Sequence, residues 1–552
     1  MGNDAVERVV IGGKERSAQV ARVAGRKTME LHARTNCIVE IPFRSAAVYR
    51  NPYADVTLDV AFSNSRGAKI IVPAFWAGGG TWKVRFSAPS AGTWKFQSIC
   101  DNRSDIGLHG RTGAISVQRY RGSNPVLKHG RVRVSPNGRY LEHQDGTPFF
   151  WLGDTWWMGL CTRVDWPQGF KELTADRVAK GFSVVQIIAG PYPDMDAFDP
   201  RARNEAGFAF ERGFTSVNPS YYDHADLKIG HLVESGLVPC IVGMWGYYLP
   251  EIGVEQIKRF WRYLIARYGA YPVVWCAAGE GTMPWYLSKT PAEDAQKQKS
   301  GWTDVCRYIR STDGFGNVLT IHPTRYGHEQ VEDRAVLDLN MLQTGHSGYE
   351  SVGPTIESVR TAYALNPPMP VLDSEVNYEG ILGKSWQDVQ RLCFWHSILN
   401  GACGHTYGAN GIWQCSTKAE PYGASPHGRS WGNTPWQEAM KLPGSTQLGL
   451  ARKFLLRIDW HQMEPHPEWT QDGASAAGIP KRLRVIYSPM VWDPPAIKEL
   501  EPDVKYHARF FDPVTGAEYP IGPVDPAPDR TWTPPVFPEM HDWVIVLKAV
   551  TG

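Results

Sequence analysis

Residues 218–246, NPSYYDHADLKIGHLVESGLVPCIVGMWG, hold one helix followed by one strand-like run. Asn218 can cap free helical amides, and Pro219 fits a first turn, where its missing N–H is not needed. His224, Leu227, Ile229, His231, Leu232 and Val233 follow before Gly236 supplies a stop. The apolar run 237–243 (LVPCIVG) then reads as a strand.

The same alternation continues on both sides. Strand-like runs occur at 149–153 (FFWLG), 182–188 (FSVVQII), 272–278 (PVVWCAA), 317–321 (NVLTI), 336–342 (VLDLNML), 369–373 (MPVLD) and 403–407 (CGHTY), with helical segments between them. With 237–243 these make eight βα units in about 300 residues, which predicts a closed (β/α)₈ TIM barrel rather than an open doubly wound sheet. The glycine-rich phosphate turn that often follows the first strand of an open sheet is not present.

The chain has 552 residues, more than one hydrophobic core can serve, so further domains are expected. Residues 1–120 carry short β-type runs broken by Gly and Pro and predict an amino-terminal β-sandwich. Inside it, Gly80–Phe96 (GTWKVRFSAPSAGTWKF) suggests a hairpin of two aromatic-bearing strands about a Pro-Ser-Ala-Gly turn. Residues 131–150 suggest two more strands leading into the barrel domain, 121–455. From 456 to 552 the β texture returns, with Pro-dense connections, and predicts a small all-β module, itself a β-sandwich.

The 58 basic and 56 acidic residues nearly cancel, to a formal charge of +2, and no block of like charge points to nucleic acid or an anionic membrane. No apolar run is long enough to span a bilayer, and MGNDAVERVVIGGKERS (1–17) places charges where a secretory signal needs a continuous apolar stretch, so a cytoplasmic location is expected. Nine Cys are scattered without CxxC spacing and are expected to be reduced thiols. Aromatic residues make up 12% of the chain; most serve cores, yet flat rings are also what the C–H faces of sugars stack on. A homo-oligomer is compatible with all of this.

In such a barrel the reactive side chains lie where strands end. The strand ends here supply Asp154, Trp156 and Trp157; Gln186; Trp245 and Tyr247; Glu280; His322; Gln343 and His346; Glu375, Tyr378 and Glu379; and Tyr407 and Asn410. Polar and aromatic residues at eight successive ends describe a polyhydroxylated ligand. Cleaving a glycosidic bond takes one carboxylic acid and one carboxylate. Glu280, after a wholly apolar strand, suits the acid, and Glu375 suits the nucleophile, with Glu379 as its alternative. Asp154, Trp156, Gln186, Trp245, His322, Gln343, His346, Tyr378, Glu379 and Tyr407 are the expected substrate contacts. No HExxH, Cys/His ligand spacing or early His-x-His appears, so no metal or other cofactor is expected; no GxSxG elbow appears either.

FFWLGDTWW (149–157), KGFSVVQII (180–188), the opening stretch 218–246, YPVVWCAAGE (271–280) and PVLDSEVNYEG (370–380) together resemble the apiosidase-like glycoside hydrolases. GTWKVRFSAPSAGTWKF is similar to the amino-terminal β-sandwich found with that barrel, and ARFFDPVTG (508–516) to its carboxy-terminal β-domain, historically labelled collagen-binding. The resemblance implies a retaining layout, with acid/base after strand 4 and nucleophile after strand 7, which falls on Glu280 and Glu375. One departure stands out: the family pattern has Asp after a Gly pair where this chain has Ala278, Gly279, Glu280. Since a shift of about 1 Å can cost ~10²-fold in rate, the longer acid favours another furanoside or a deoxy-sugar over apiose. The expected function is therefore hydrolysis of an oligosaccharide or other glycoside. The alternatives are a transglycosylase using the same site or a carbohydrate- or matrix-binding protein on a barrel scaffold.

Overall fold

A computed structural model describes residues 8–550, apart from 12, 13, 18, 19, 24, 25, 472 and 491, with side chains described from residue 31 onward. Its centre is an eight-stranded parallel sheet curled into a barrel. In chain order the barrel elements are β1 (Trp151–Trp156), α1 (Gln168–Lys180), β2 (Val184–Ile188), α2 (Pro219–Glu234), β3 (Val238–Val242), α3 (Val254–Tyr268), β4 (Val274–Cys276), α4 (Pro291–Thr312), β5 (Leu319–Thr320), β6 (Asn340–Gly345), α5 (Val352–Tyr363), β7 (Val371–Val376), α6 (Gln387–Leu399), β8 (Ala402–Tyr407) and α7 (Pro443–Leu455). β1 pairs with both β2 and β8, which curls the sheet back on itself.

Helix α2 starts as its sequence dictates: the Asn218 side chain accepts from the amides of Ser220 (3.2 Å) and Tyr221 (3.4 Å), and Gly236 follows at a φ of 85°. The eight strands are those expected, with two differences. No α-helix lies between β5 and β6; the connection holds only the 3₁₀ turns Gly327–Glu329 and Arg334–Val336. β6 also begins later than the apolar run 336–342 suggested. Asp333 accepts from the Ala335 amide at 3.0 Å and turns the chain there, so Gln343 lies inside the strand rather than beyond it.

β5 and β6 close the ring by a minimal seam. The Asp338 amide donates to Leu319 O at 2.8 Å, and the Asp338 carboxylate accepts the return bond from the Leu319 amide at 2.9 Å. A side chain thus does the work of a strand carbonyl.

The amino-terminal region is a β-sandwich. A six-stranded sheet that includes Leu58–Asn64 and Gly92–Cys100 faces a three-stranded one made of Ile38–Arg44, Thr81–Ser87 and Phe75–Trp76. Alternate residues from both sheets, among them Val60, Phe62, Phe96, Ile41, Val84 and Phe86, fill the core, and Phe62 stacks on Phe86 at 3.9 Å. The expected hairpin at 80–96 is not one: Thr81–Ser87 pairs with Ile38–Arg44, while Gly92–Cys100 pairs with Leu58–Asn64 and Thr112–Gln118 in the other sheet. The Pro-Ser-Ala-Gly segment is an arch between layers, and its flanking aromatics, Phe86 and Trp94, meet across the core at 5.3 Å.

The carboxy-terminal module is one six-stranded antiparallel sheet among the described residues, where two stacked sheets were expected. The reason lies in its alternation. On Trp543–Ala549, residues Trp543, Ile545 and Leu547 face a local cluster with Ile497, Leu500 and Phe537. Val544 and Val546 join the barrel core, and Tyr487 on the neighbouring strand stacks on Trp395 of α6 at 6.0 Å. The barrel takes the place of a second sheet.

Among the described residues, no helix is long and apolar enough to cross a membrane. Eight of the nine free cysteines are buried, Cys37 being half-buried.

Candidate active site

Just beyond β4, a bridge between Trp245 and Gly279 extends its pairing with β3. Only glycine fits at 279, because a Cβ there would collide with the Trp245 ring. Glu280 follows at a φ of 43°, a left-handed conformation that a glutamate adopts only when its surroundings impose it. The clamp consists of Gly246 N–H donating to Gly279 O (2.7 Å) and Gly281 N–H donating to His322 O (3.1 Å). The carboxylate that results accepts from Trp245 Nε1 at 3.2 Å.

Glu375 is the penultimate residue of β7, and nearly every neighbour is a donor. Gln343 Nε2 and His346 Nε2 each lie 2.9 Å from Oε1; Tyr378 Oη donates to Oε2 at 2.5 Å; His322 Nε2 stands 3.3 Å from Oε2. Tyr378 reaches back because Asn377, at a φ of 40°, reverses the chain after the strand. Trp157 Nε1 in turn donates to Tyr378 Oη at 3.1 Å.

These environments drive the two carboxyls apart. Desolvation, and next the charge of Glu375, push the Glu280 carboxyl up to about 8. Burial would raise Glu375 as well, but hydrogen bonds and positive charge from His322 and His346 outweigh it and hold this carboxyl well below the usual range. Gln343, bonded to Glu375, lines the same cavity wall as Glu280. Both acids line one cavity of about 180 Å³ with Trp157, Asp194, Trp245, Tyr286, Gln343, His346 and Tyr378.

Of the expected contacts, Trp245, Gln343, His346 and Tyr378 line this cavity, and His322 stands beside Glu375 without lining it. The others lie elsewhere. Asp154 is fully buried, ion-paired to Arg177 Nε at 2.5 Å and bonded by Trp156 Nε1 at 2.7 Å. Trp156 packs edge-on against Phe170 in the core, because strand alternation sends it outward and leaves Trp157 to face the cavity. Gln186 sits inside the barrel, donating to Ser374 O at 3.2 Å. Glu379 accepts the Gly444 amide (3.0 Å) and the Tyr407 hydroxyl (2.5 Å) behind the sheet, which removes Glu379 as a nucleophile and Tyr407 as a sugar contact.

Asp194, Tyr286, Trp413 and Trp431 also line the cavity and were not among the expected contacts. They lie on the long loops after β2, β4 and β8, away from the strand ends. The only sequence signal they offer is aromatic or acidic character within those loops.

The barrel residues 135–462 match the profile described as apiosidase-like, catalytic domain, over more than half of the chain. The chain belongs to the apiosidase-like family. Residues 36–101 match a domain of unknown function, DUF5060, so this apiosidase-like chain carries a second recognised module within its sandwich. No curated protein sequence matches it. Among solved structures it is similar to a glycoside hydrolase at 22% identity, with a TM-score of 0.64, covering 78% of this chain and 98% of that one. A family 5 glycoside hydrolase from Bacteroides vulgatus gives 23% identity and 0.65, with 78% and 95% coverage. A further Bacteroides vulgatus structure gives 17% and 0.71 over 94% and 100%, so the whole architecture recurs. With the family, these place the chain among the glycosidases.

Proposed function

We propose that this apiosidase-like enzyme removes a terminal sugar with retention of configuration, using Glu280 as acid/base and Glu375 as nucleophile. The observation that carries the reading is that one cavity is lined by two carboxyls whose surroundings favour opposite protonation states. A general acid must hold its proton and a nucleophile must have lost it.

In the first step a Glu375 oxygen attacks the anomeric carbon while Glu280 gives its proton to the departing glycosidic oxygen. The products are a glycosyl ester on Glu375, a free alcohol and an ionised Glu280. Water then attacks the same carbon, Glu280 takes the water proton, and the ester bond breaks to regenerate the Glu375 carboxylate. Gln343, His346 and Tyr378 hold Glu375 in place and stabilise its charge. Trp245 positions Glu280.

The cavity is smaller than the ~300–1,000 Å³ common for drug-sized ligands, which favours a single sugar unit over a threaded chain. A furanoside or deoxy-sugar glycoside is the preferred substrate, because the Glu280 side chain is longer than the family's Asp.

A screen of aryl glycosides, furanosides included, tests the proposal. On an active substrate Glu280→Gln is expected to lower kcat by about 10²–10⁴-fold, and Glu375→Ala to abolish turnover. Azide should rescue Glu375→Ala as a glycosyl azide of inverted configuration, and proton NMR of the wild-type reaction should show the retained anomer first. Unchanged turnover by Glu280→Gln removes the acid, and an inverted first product removes the retaining mechanism.

A further inference from the structure

We propose that Asp194 recognises the terminal sugar, its carboxylate accepting hydroxyl groups of a neutral glycone and excluding uronic acids. This rests on the hydrolase reading above and adds the chemical class of sugar that the cavity takes.

Asp194 lies on the loop after β2, is only 5% exposed, and shares the cavity wall with Glu280 and Glu375. Its backbone is left-handed, φ 58°, a conformation that Asp tolerates better than most residues and that lets the loop turn here. Tyr286, from the loop after β4, donates to Oδ1, and the Tyr286 ring is held edge-on by His427 at 5.0 Å. The carboxylate is therefore aimed by a rigid neighbour. It has not been neutralised by the nearest guanidinium in its own loop: Arg201 is bonded to Asp199 (2.7 and 2.9 Å) and reaches only the Asp194 backbone carbonyl, at 3.5 Å.

The lining of the cavity contains three carboxylic residues, one imidazole and no Lys or Arg. A uronic acid entering it would meet acidic groups with no guanidinium in the wall, since Arg325 lines only the adjoining cavity beyond Glu280 and Gln343, and an unpaired charge in such a place is costly. A neutral sugar brings no charge, and its hydroxyl groups can donate to the Asp194 carboxylate beside the bond it already accepts from Tyr286. Burial raises the Asp194 carboxyl, in keeping with a site built to exclude water. If Asp194 served only to anchor Tyr286, its effect would not depend on particular sugar hydroxyls, and that difference separates the two roles.

Calorimetric titration of full-length Glu280→Gln protein tests this, with neutral pentoses, hexoses and deoxyhexoses against glucuronate and galacturonate. At least one neutral sugar should bind and neither uronate should. Adding Asp194→Ala should weaken the neutral sugar by about 10-fold or more, as expected for lost bonds to a charged acceptor. Tyr286→Phe should change it by less than about 3-fold, since only the aiming bond is lost. A deoxy analogue lacking the recognised hydroxyl should bind Asp194→Ala as well as the parent sugar does. Asp194→Asn, which still accepts from Tyr286 and so guards against misfolding, should admit a uronate. Tighter binding of a uronate than of any neutral sugar, no binding by the whole panel, or indifference to both Asp194 variants overturns the proposal. Binding needs no turnover: hydroxyl-specific binding without any hydrolysed glycoside would leave this proposal standing and sink the hydrolase reading.

Discussion

Glu280 keeps its proton because its carboxyl is desolvated and faces a second carboxylate held ionised by two imidazoles. The sign of the pH dependence follows. The acid must be protonated, so kcat/KM is expected to fall as pH rises through about 8. Glu375 stays ionised well into acid, so no comparable loss is expected between the ordinary carboxylate range and neutrality. A pH–rate profile checks this, and Glu280→Gln, assayed on a substrate whose leaving group needs no proton, should lose the alkaline limb. A limb that persists would assign it to another group. Behind the sheet, Asp154→Ala leaves Arg177 buried with its main partner gone, and is expected to cost about 3–5 kcal/mol in calorimetry with KM unchanged. Trp156 and Trp157 show how far such assignments were legible. Composition and position marked both as strand-end aromatics, but which one faces the cavity depends on a one-residue parity that apolar runs do not encode.

At the scale of elements, the carboxy-terminal sheet and α6 are joined by a buried pair as well as by apolar contact. Arg391 donates to both oxygens of Asp542 (2.6 and 3.0 Å) and to Gln447 (2.7 Å), while Tyr487 Oη also donates to Asp542 (2.8 Å). Asp542→Ala is expected to lower stability by about 3–5 kcal/mol, and Arg391→Met with Asp542→Leu to recover most of it, because apolar groups of similar volume replace a buried ion pair well. Thermal denaturation of the two variants decides it; equal losses in both would mean that apolar groups cannot replace the pair, and no loss in either that apolar contact alone holds the sheet. The barrel strands were legible because both their faces are covered and their apolar runs are continuous. Their ends were less so: Val336 to Leu339 are mostly apolar yet lie in a turn and at the seam, since Asp333 and Asp338 divert the chain. The arch at residues 88–91 is illegible in sequence for a related reason. A short Gly/Pro segment between two strands looks alike whether the strands pair side by side or face one another across a core.

For the molecule as a whole, the domain order was visible in the change from β texture to βα texture and back, but the contacts between domains were not. Arg85 on the sandwich reaches Asp226 of α2 (3.1 Å) and Arg267 O on α3 (2.8 Å), and Arg267 meets the same carboxylate (2.9 Å), so two guanidinium groups from different domains share one acid. Such a knot joins residues too far apart in the chain for any periodicity to reveal. Asp194, Tyr286 and Trp431 converge on the cavity from three loops for the same reason. The seam between β5 and β6 joins architecture to chemistry. The amide of Gln343 donates to Arg325 O at 3.0 Å, and Tyr326 bridges Leu342, so the chain that latches the cylinder shut is also the chain that presents the Gln343 side chain to Glu375. Any strain at that thin joint is therefore carried directly to a hydrogen-bond donor of Glu375, so the latch and the setting of this carboxylate are one mechanical unit.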